Sequence, residues 1–380
     1  MPDQSLFLEM ILDGNPSTYV LGPLAGLELG RFVPSPPPVY IIDQIVAELH
    51  PAWIQQIQNN CTNCDQRTLL LPGGEAIKTM TQLEEVYQWL GQQAVTRDGT
   101  IVAVGGGTVL DMVGMAASTW RRGVNFVSIP TTLLAMVDAA IGGKTAINTA
   151  GVKNPVGSFH PARGILADAG FLSTLTCNDW RDGMAELIKT AVIGDDNLFA
   201  DLYASKSDLA KTLGNSQPEE PIFGILGALP WRKWIGWAAA VKIGIVNRDF
   251  KEGGIRKALN LGHTLGHVLE AYSHETKEPI SHGQAVAIGM AVVFRIAAER
   301  NLCPLNQALQ VLELLEACGL PVICQAPPVD RLEGLLTGDK KTSAREGLSW
   351  VLPERIGKVN VNSKVTSDEL LRWLEAPAAD

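Results

Sequence analysis

The apolar positions of the chain change their period part-way along. Between residues 39 and 168 they come as short continuous runs bounded by turn residues, at 39–43, 68–71, 100–104, 124–129 and 164–168. Runs of that length, rich in valine, isoleucine and leucine, predict strands buried on both faces of a parallel sheet. Helical stretches at 45–59 and 81–93 alternate with them, which predicts a doubly wound, right-handed α/β arrangement. Ahead of it, residues 5–30 predict a strand pair with a turn, and Pro34-Ser35-Pro36-Pro37-Pro38 predicts an extended lead-in. From about residue 176 the pattern turns helical, at 179–193, 198–213, 231–248, 259–272, 283–299 and 304–318, interrupted by a Pro-rich acidic surface loop at 215–221. The fold class expected is therefore an α/β, Rossmann-like N-terminal domain (1–175) followed by a mostly α-helical domain (176–380). Ligand sites favour domain interfaces, so the active site is expected in the cleft between them.

Composition narrows the function classes. Two domains suit 380 residues, and 46% apolar with 19% charged residues is the balance of a soluble globular protein. A net charge of -9 argues against a general nucleic-acid binder. No apolar run reaches about 18 residues, so no membrane span is expected. The N-terminus Met-Pro-Asp-Gln-Ser lacks the basic and apolar regions of a signal peptide, and the cytoplasm is the expected compartment. Of six cysteines only Cys61 and Cys64 lie close together, and with no second pair they are expected to be incidental loop residues.

Three stretches carry candidate chemistry. Gly105-Gly106-Gly107 ends a strand and opens a helix, where backbone N–H groups can approach a phosphate; a tight turn would look the same. Asp138, Gly142-Gly143-Lys144-Thr145, Asn148 and Lys153-Asn154 suggest an anion-lined crevice. His263 and His267 are four residues apart, so a helix presents both imidazoles on one face. Glu186, alone in an apolar helical segment, together with two of His263, His267 and His282, would give a metal three ligands and leave one position open, as catalytic sites require.

Taken in order, Arg121-Arg122-Gly123, Pro130-Thr131-Thr132-Leu133-Leu134-Ala135, Val137-Asp138, Gly142-Gly143-Lys144-Thr145, Lys153-Asn154, Gly183-Met184-Ala185-Glu186-Leu187-Ile188-Lys189, Glu252-Gly253-Gly254-Ile255-Arg256, Leu259 to His267, His282-Gly283 and Asp339-Lys340-Lys341 resemble the 3-dehydroquinate synthase family of the sugar phosphate cyclases. The resemblance runs from about residue 39 to 360. It implies phosphate-eliminating cyclisation of a seven-carbon sugar acid phosphate, 3-deoxy-D-arabino-heptulosonate 7-phosphate, to 3-dehydroquinate, a step in aromatic amino acid biosynthesis. NAD oxidises the substrate transiently, phosphate leaves, the hydride returns, and an intramolecular aldol step closes the ring.

The same resemblance implies zinc on Glu186, His263 and His282, a ligand set that cobalt also suits, with His267 as a proton relay. It implies NAD on Asp43, Glu75, Lys78, Gly106, Gly107, Asp111, Thr131, Thr132, Asp138, Lys144, Lys153, Phe171 and Thr174. Substrate falls to Lys144, Asn154, Lys189, Lys242, Glu252, Arg256, Asn260, His267, Lys340 and Lys341. Arg122 is implied to reach the neighbouring subunit's site in a homodimer. The chain departs from the family at Leu110, where a glycine is usual in the cofactor loop, at His160, and in an insert that contains His274. The alternatives are a sister cyclase acting on a heptulose phosphate, as in 2-epi-5-epi-valiolone synthase, and a metal-dependent polyol dehydrogenase.

Overall fold

The structure is a computed structural model and describes residues 5–23, 29–33, 36–58, 64–222, 224–276, 279–338 and 349–374. The chain divides into two compact units, Met1–Leu175 with Pro230–Lys251, and Thr176–Leu229 with Glu252–Asp380.

The first unit is built on strands β1 (Leu6–Leu12), β2 (Asn15–Leu21), β3 (Val39–Asp43), β4 (Thr68–Leu71), β5 (Thr100–Gly105), β6 (Asn125–Pro130), β7 (Lys144–Thr149), β8 (Val152–Phe159) and β9 (Gly164–Ala167). Seven of them form one sheet in the order β1-β2-β9-β6-β5-β3-β4. β1 and β2 make the antiparallel pair expected of residues 5–30, and the other pairings are parallel. Every residue of β3 and β5 is buried, as continuous apolar runs require.

The helix expected over 45–59 is two helices, Gln44–Leu49 and Pro51–Gln58. Pro51 drives the break: its ring pushes the preceding residue out of the helical region, and His50 has φ -128° and ψ 51°. The polar run after residue 142 is not a plain connector but a hairpin, β7 against β8. Its two turn residues, Ala150 and Gly151, both have positive φ, which a tight hairpin turn matching strand twist needs.

Helix Trp231–Arg248 belongs to the first unit, although its position in the sequence places it among the helices of the second half. Trp231, Trp234, Ile235, Ala238, Ala239 and Ile243 are all buried and recur at three- and four-residue spacing, so one broad face of the helix enters the core while Lys233, Ala240 and Asn247 stay exposed. Gly236 lies close against β1 and β2; a Cβ there would stand 2.8 Å from Leu6 Cδ2.

The second unit packs around helix His282–Glu299, in which fourteen residues from Gly283 to Ala297 are buried. Helices Cys177–Gly194, His263–Thr276 and Leu305–Ala317 lie against it. The run expected as one helix over 198–213 is divided into Asp196–Ala204, Lys206–Leu209 and a π-turn, Ala210–Gly214. Arg181 stays buried beside that turn by donating to the carbonyls of Leu213 (2.7 Å) and Ser216 (3.0 Å). A hairpin of β10 (Trp350–Arg355) and β11 (Lys358–Ser363), then helix Ser367–Leu374, complete the unit. Among the described residues no helix is long and apolar enough to cross a membrane.

Candidate active site

In the first unit the strand order reverses between β3 and β5: the chain steps outward from β3 to β4, then crosses back to β5 and continues through β6 to β9. Ligands of open α/β sheets bind beyond the carboxyl ends of the strands at such a point. Asp43 ends β3 there, and its carboxylate caps the following helix by accepting from Ile45 N at 2.9 Å. Burial raises the Asp43 pKa above the ordinary carboxylate value, partly offset by the backbone donors Ile45 and Val46. Gly105, Gly106 and Gly107 end β5 and open helix Gly107–Thr119, whose N-cap, Gly106, carries no side chain to cover the first N–H groups. Cβ atoms at these glycines would stand 2.9 Å from Val109, 3.2 Å from Thr132 and 3.0 Å from Ala139, so a side chain would be crowded at each and would have to displace Val109 at Gly105.

Behind the glycine turn, Lys78 is buried and donates to Asp111 Oδ2 (2.9 Å) and Asn154 Oδ1 (2.5 Å). Glu75 accepts from Thr108 Oγ1 (3.1 Å) and Asn148 Nδ2 (2.8 Å). Asn154 holds φ at +56°, a left-handed conformation that its side chain and N–H anchor to Lys78 and Asn148. Thr131 is buried, and its Oγ1 meets no protein partner among the described residues. Thr132 turns its hydroxyl to Ala135 N (3.1 Å) and its methyl toward Gly106. Lys242 is buried and reaches Asp138 twice, at the carbonyl (2.6 Å) and at the carboxylate (2.7 Å). Lys144 and Lys153 stand exposed on the β7–β8 hairpin. Gly143 (φ +66°) packs against the backbone of Pro161 at the hairpin's start. Phe171 is buried edge-on to Trp53, and Thr174 hydrogen-bonds His50 Nε2 at 2.7 Å. Both therefore face an aromatic cluster. Arg122 is exposed at a left-handed turn (φ +66°) after helix Gly107–Thr119. His160 Nε2 meets the Val124 carbonyl at 2.9 Å, which ties this ring to the chain just before β6.

The second unit brings Glu186, His263 and His282 together, with one donor atom of each within 4.8 Å of the others. Glu186 Oε1 lies 3.3 Å from His263 Nε2 and 3.3 Å from His282 Nε2. Lys189, one turn along the same helix and buried, pairs with the other carboxylate oxygen. Burial would raise the Glu186 pKa, but the Lys189 ammonium, then His263, hold it well below the usual carboxylate range. Burial lowers His263, and the Lys189 charge lowers it further. Burial also opposes a charge on His282, yet Glu186 and Glu270 lift it to about 9. His267 stands next to the triad, its ring centroid 5.5 Å from that of His263 and 6.3 Å from that of His282.

Close helix contact makes this convergence. Gly262 has φ +77°, and a Cβ there would lie 2.7 Å from the Val286 carbonyl; a Cβ at Gly289 would lie 2.0 Å from the Gly262 carbonyl. Helices His263–Thr276 and His282–Glu299 therefore meet backbone to backbone beside their histidines. Asp182, one turn before Glu186, accepts from Ser281 Oγ and from Gly283 N (3.0 Å) and fixes the first turn that carries His282. Asp182 and Glu270 are site residues that motif matching passes over. The signals were spacing: Asp182 is four residues before Glu186, and Glu270 is seven after His263.

Glu252 (φ +62°) accepts from Asn260 Nδ2 at 2.8 Å, and Arg256 is buried on the turn between them. Lys340 and Lys341 lie outside the described residues, as does Cys61. His274 is exposed near the end of its helix and is no part of the triad.

The residues present fit both implied groups. Two donors each about 2.05 Å from a tetrahedral zinc stand about 3.3 Å apart, the separation found from Glu186 Oε1 to each imidazole. Each ligand imidazole also turns Nδ1 to an acceptor, Leu261 O at 3.2 Å for His263 and Glu270 Oε2 at 3.5 Å for His282, leaving Nε2 for a metal. For a dinucleotide, the bare glycine turn, the acid ending β3 and the Thr131 hydroxyl, without a partner among the described residues, supply a cradle at the switch point.

Comparison with known proteins agrees. The family models "3-dehydroquinate synthase N-terminal" and "3-dehydroquinate synthase C-terminal" match residues 68–182 and 183–342. A 3-dehydroquinate synthase of a Nostoc species is 40% identical over 355 residues, covering 93% of this chain and 92% of its own. That of Rippkaea orientalis is 38% identical over 304 residues, covering 79% of this chain and 78% of its own. Among solved structures, 2-epi-5-epi-valiolone synthase from Streptomyces hygroscopicus, with NAD+ and Zn2+ bound, superposes with a TM-score of 0.80 at 28% identity, covering 94% of this chain and 95% of that one. Both halves of the family pattern thus follow in order along one chain, and the Nostoc relative aligns with 93% of it. This chain belongs to the 3-dehydroquinate synthase family.

Proposed function

We propose that the chain catalyses the reaction of its family, conversion of 3-deoxy-D-arabino-heptulosonate 7-phosphate to 3-dehydroquinate and inorganic phosphate, in aromatic amino acid biosynthesis. The observation that carries this reading is the Glu186–His263–His282 cluster, three donors that would leave a tetrahedral metal one position for substrate. When bound, NAD supplies reversible hydride acceptance, and zinc or cobalt supplies a Lewis acid for the substrate oxygens.

The protein's own groups position and stabilise. Asp43 holds ribose hydroxyls, and Gly106 and Gly107 let the backbone reach a pyrophosphate that Lys78 and Asp111 flank. Thr131, Thr132, Glu75, Asp138, Lys144 and Lys153 complete the cofactor set, with Phe171 and Thr174 setting its wall through the His50–Trp53 cluster. Arg256 offers a bidentate fork to phosphate or carboxylate, while Lys144, Lys189, Lys242, Lys340 and Lys341 act as point charges. Asn154, Asn260 and Glu252 orient substrate hydroxyls. His267 moves a proton at its imidazole beside the metal ligands. The protein acts as a homodimer in the cytoplasm, with Arg122 completing the partner's phosphate site.

The test is purified protein with zinc, catalytic NAD and the heptulosonate phosphate, following phosphate release and carbocycle. Product without accumulating NADH is expected. Likeness to a 2-epi-5-epi-valiolone synthase favours one second reading, a cyclase for a heptulose phosphate. Turnover of sedoheptulose 7-phosphate in place of the acid would establish that reading instead.

A further inference from the structure

We infer that Glu270 is a positioning residue for His282, accepting its Nδ1–H and holding the ring so that Nε2 faces Glu186 and His263. The inference rests on the reading of Glu186, His263 and His282 as metal ligands.

The two imidazoles are held differently. His263 turns Nδ1 to a backbone carbonyl, Leu261 O at 3.2 Å, a partner built into the turn that Gly262 makes. His282 opens its helix, and Asp182 secures the backbone of that first turn through Ser281 and Gly283. Backbone fixation leaves the two side-chain torsions of His282 to be set by what its ring meets. The ring meets carboxylates on both sides: Glu186 Oε1 at 3.3 Å from Nε2 and Glu270 Oε2 at 3.5 Å from Nδ1. Glu270 reaches this position because it follows His263 by seven residues, two turns along the same helix face. Its side chain is only 12% exposed, and His282's is 27% exposed, so water competes weakly for the contact. A carboxylate on the far nitrogen both fixes the tautomer and makes the ligating nitrogen more basic. Of the two histidines, His282 is therefore the ligand whose donor strength a side chain sets.

The test uses the full chain saturated with NAD. Zinc affinity is measured by competition with a chromogenic chelator, and the cobalt-substituted protein reports ligand geometry through its visible absorption. Glu270→Ala is expected to weaken zinc binding roughly 10–100-fold and to shift the cobalt bands. Glu270→Gln, which keeps an acceptor oxygen but not the charge, is expected to fall between wild type and Glu270→Ala. Glu275→Ala removes an exposed acid of the same helix, paired with Arg331, and is expected to leave both readouts unchanged. Should Glu270→Ala fail to fold, the near-isosteric Glu270→Gln decides alone. Tight zinc binding by wild type together with unchanged affinity and cobalt spectrum in the Glu270 variants would overturn the inference. Absence of zinc binding by wild type itself would instead overturn the ligand assignment beneath it.

Discussion

Gly289 offers the sharpest test of how the metal cluster is assembled. In most helices replacing glycine by alanine stabilises, by about 1 kcal/mol. Here the added methyl carbon would stand 2.0 Å from the carbonyl oxygen of Gly262, 2.8 Å from its carbon and 3.1 Å from its Cα. Real contacts begin near 3.0 Å, so the two backbones must part by about 1 Å, and no flexible side chain is there to yield. Overpacking of this kind costs about 1–3 kcal/mol, and the obstacle being backbone puts Gly289→Ala at the upper end. After the helix gain, a net loss of about 2 kcal/mol is expected in urea unfolding. His263 follows Gly262 directly, so the same displacement moves one ligand against His282. Metal sites tolerate only about ±0.2 Å, and zinc affinity should fall at least about tenfold in chelator competition. Gly244→Ala is the control, because nothing lies within 4 Å of a Cβ at that helical position; it should be neutral or mildly stabilising. A Gly289→Ala protein as stable as wild type, with unchanged zinc affinity, would refute the close-crossing account.

Other expectations concern each group separately. Zinc at a hundredfold excess over its Kd should stabilise the fold by about 2.7 kcal/mol, read as a rise in Tm that a chelator reverses. Glu186→Gln should abolish that rise, and its persistence would remove Glu186 from the ligand set. Asp43→Asn keeps a capping side chain on helix Gln44–Leu49, so Tm should barely move. Lost charge-assisted hydrogen bonds to ribose should raise the NAD Kd roughly 10–100-fold; an unchanged Kd in calorimetry would take Asp43 out of the cofactor site. If Arg122 acts in the partner's site, co-refolding inactive Arg122→Ala with inactive Glu186→Ala should restore about a quarter of wild-type activity through mixed dimers. No recovery would place Arg122 in its own subunit's site or outside both.

Much of the site was legible because its chemistry is local. Gly105-Gly106-Gly107 lies between a buried strand and a helix, and the β3 acid is a terminal residue; strand periodicity alone locates both. His263 and His267 share a helix face by spacing. Less legible was what depends on crossing distance. Asp182 and Glu270 look like ordinary helix acids until helix His282–Glu299 is laid against them. The β7–β8 hairpin was hidden for another reason: its polar, glycine-rich composition suggests an anion-lined crevice but carries no strand alternation, and two positive-φ turn residues make it paired strands.

Helix Trp231–Arg248 shows the limit most plainly. Its existence and ends follow from its apolar pattern, but which core it enters depends on Gly236 fitting beside Leu6 and Leu21, residues more than two hundred positions away. By itself, then, the sequence determined the strands of the parallel sheet, most of the long helices, the glycine turn and the candidate donors, because those rest on periodicity and residue type. Tertiary structure alone decided which helix joins which unit, that three donors from three helices meet within 4.8 Å, and which acids steady them. Those outcomes depend on how closely two backbones can approach, which a single-chain pattern does not encode.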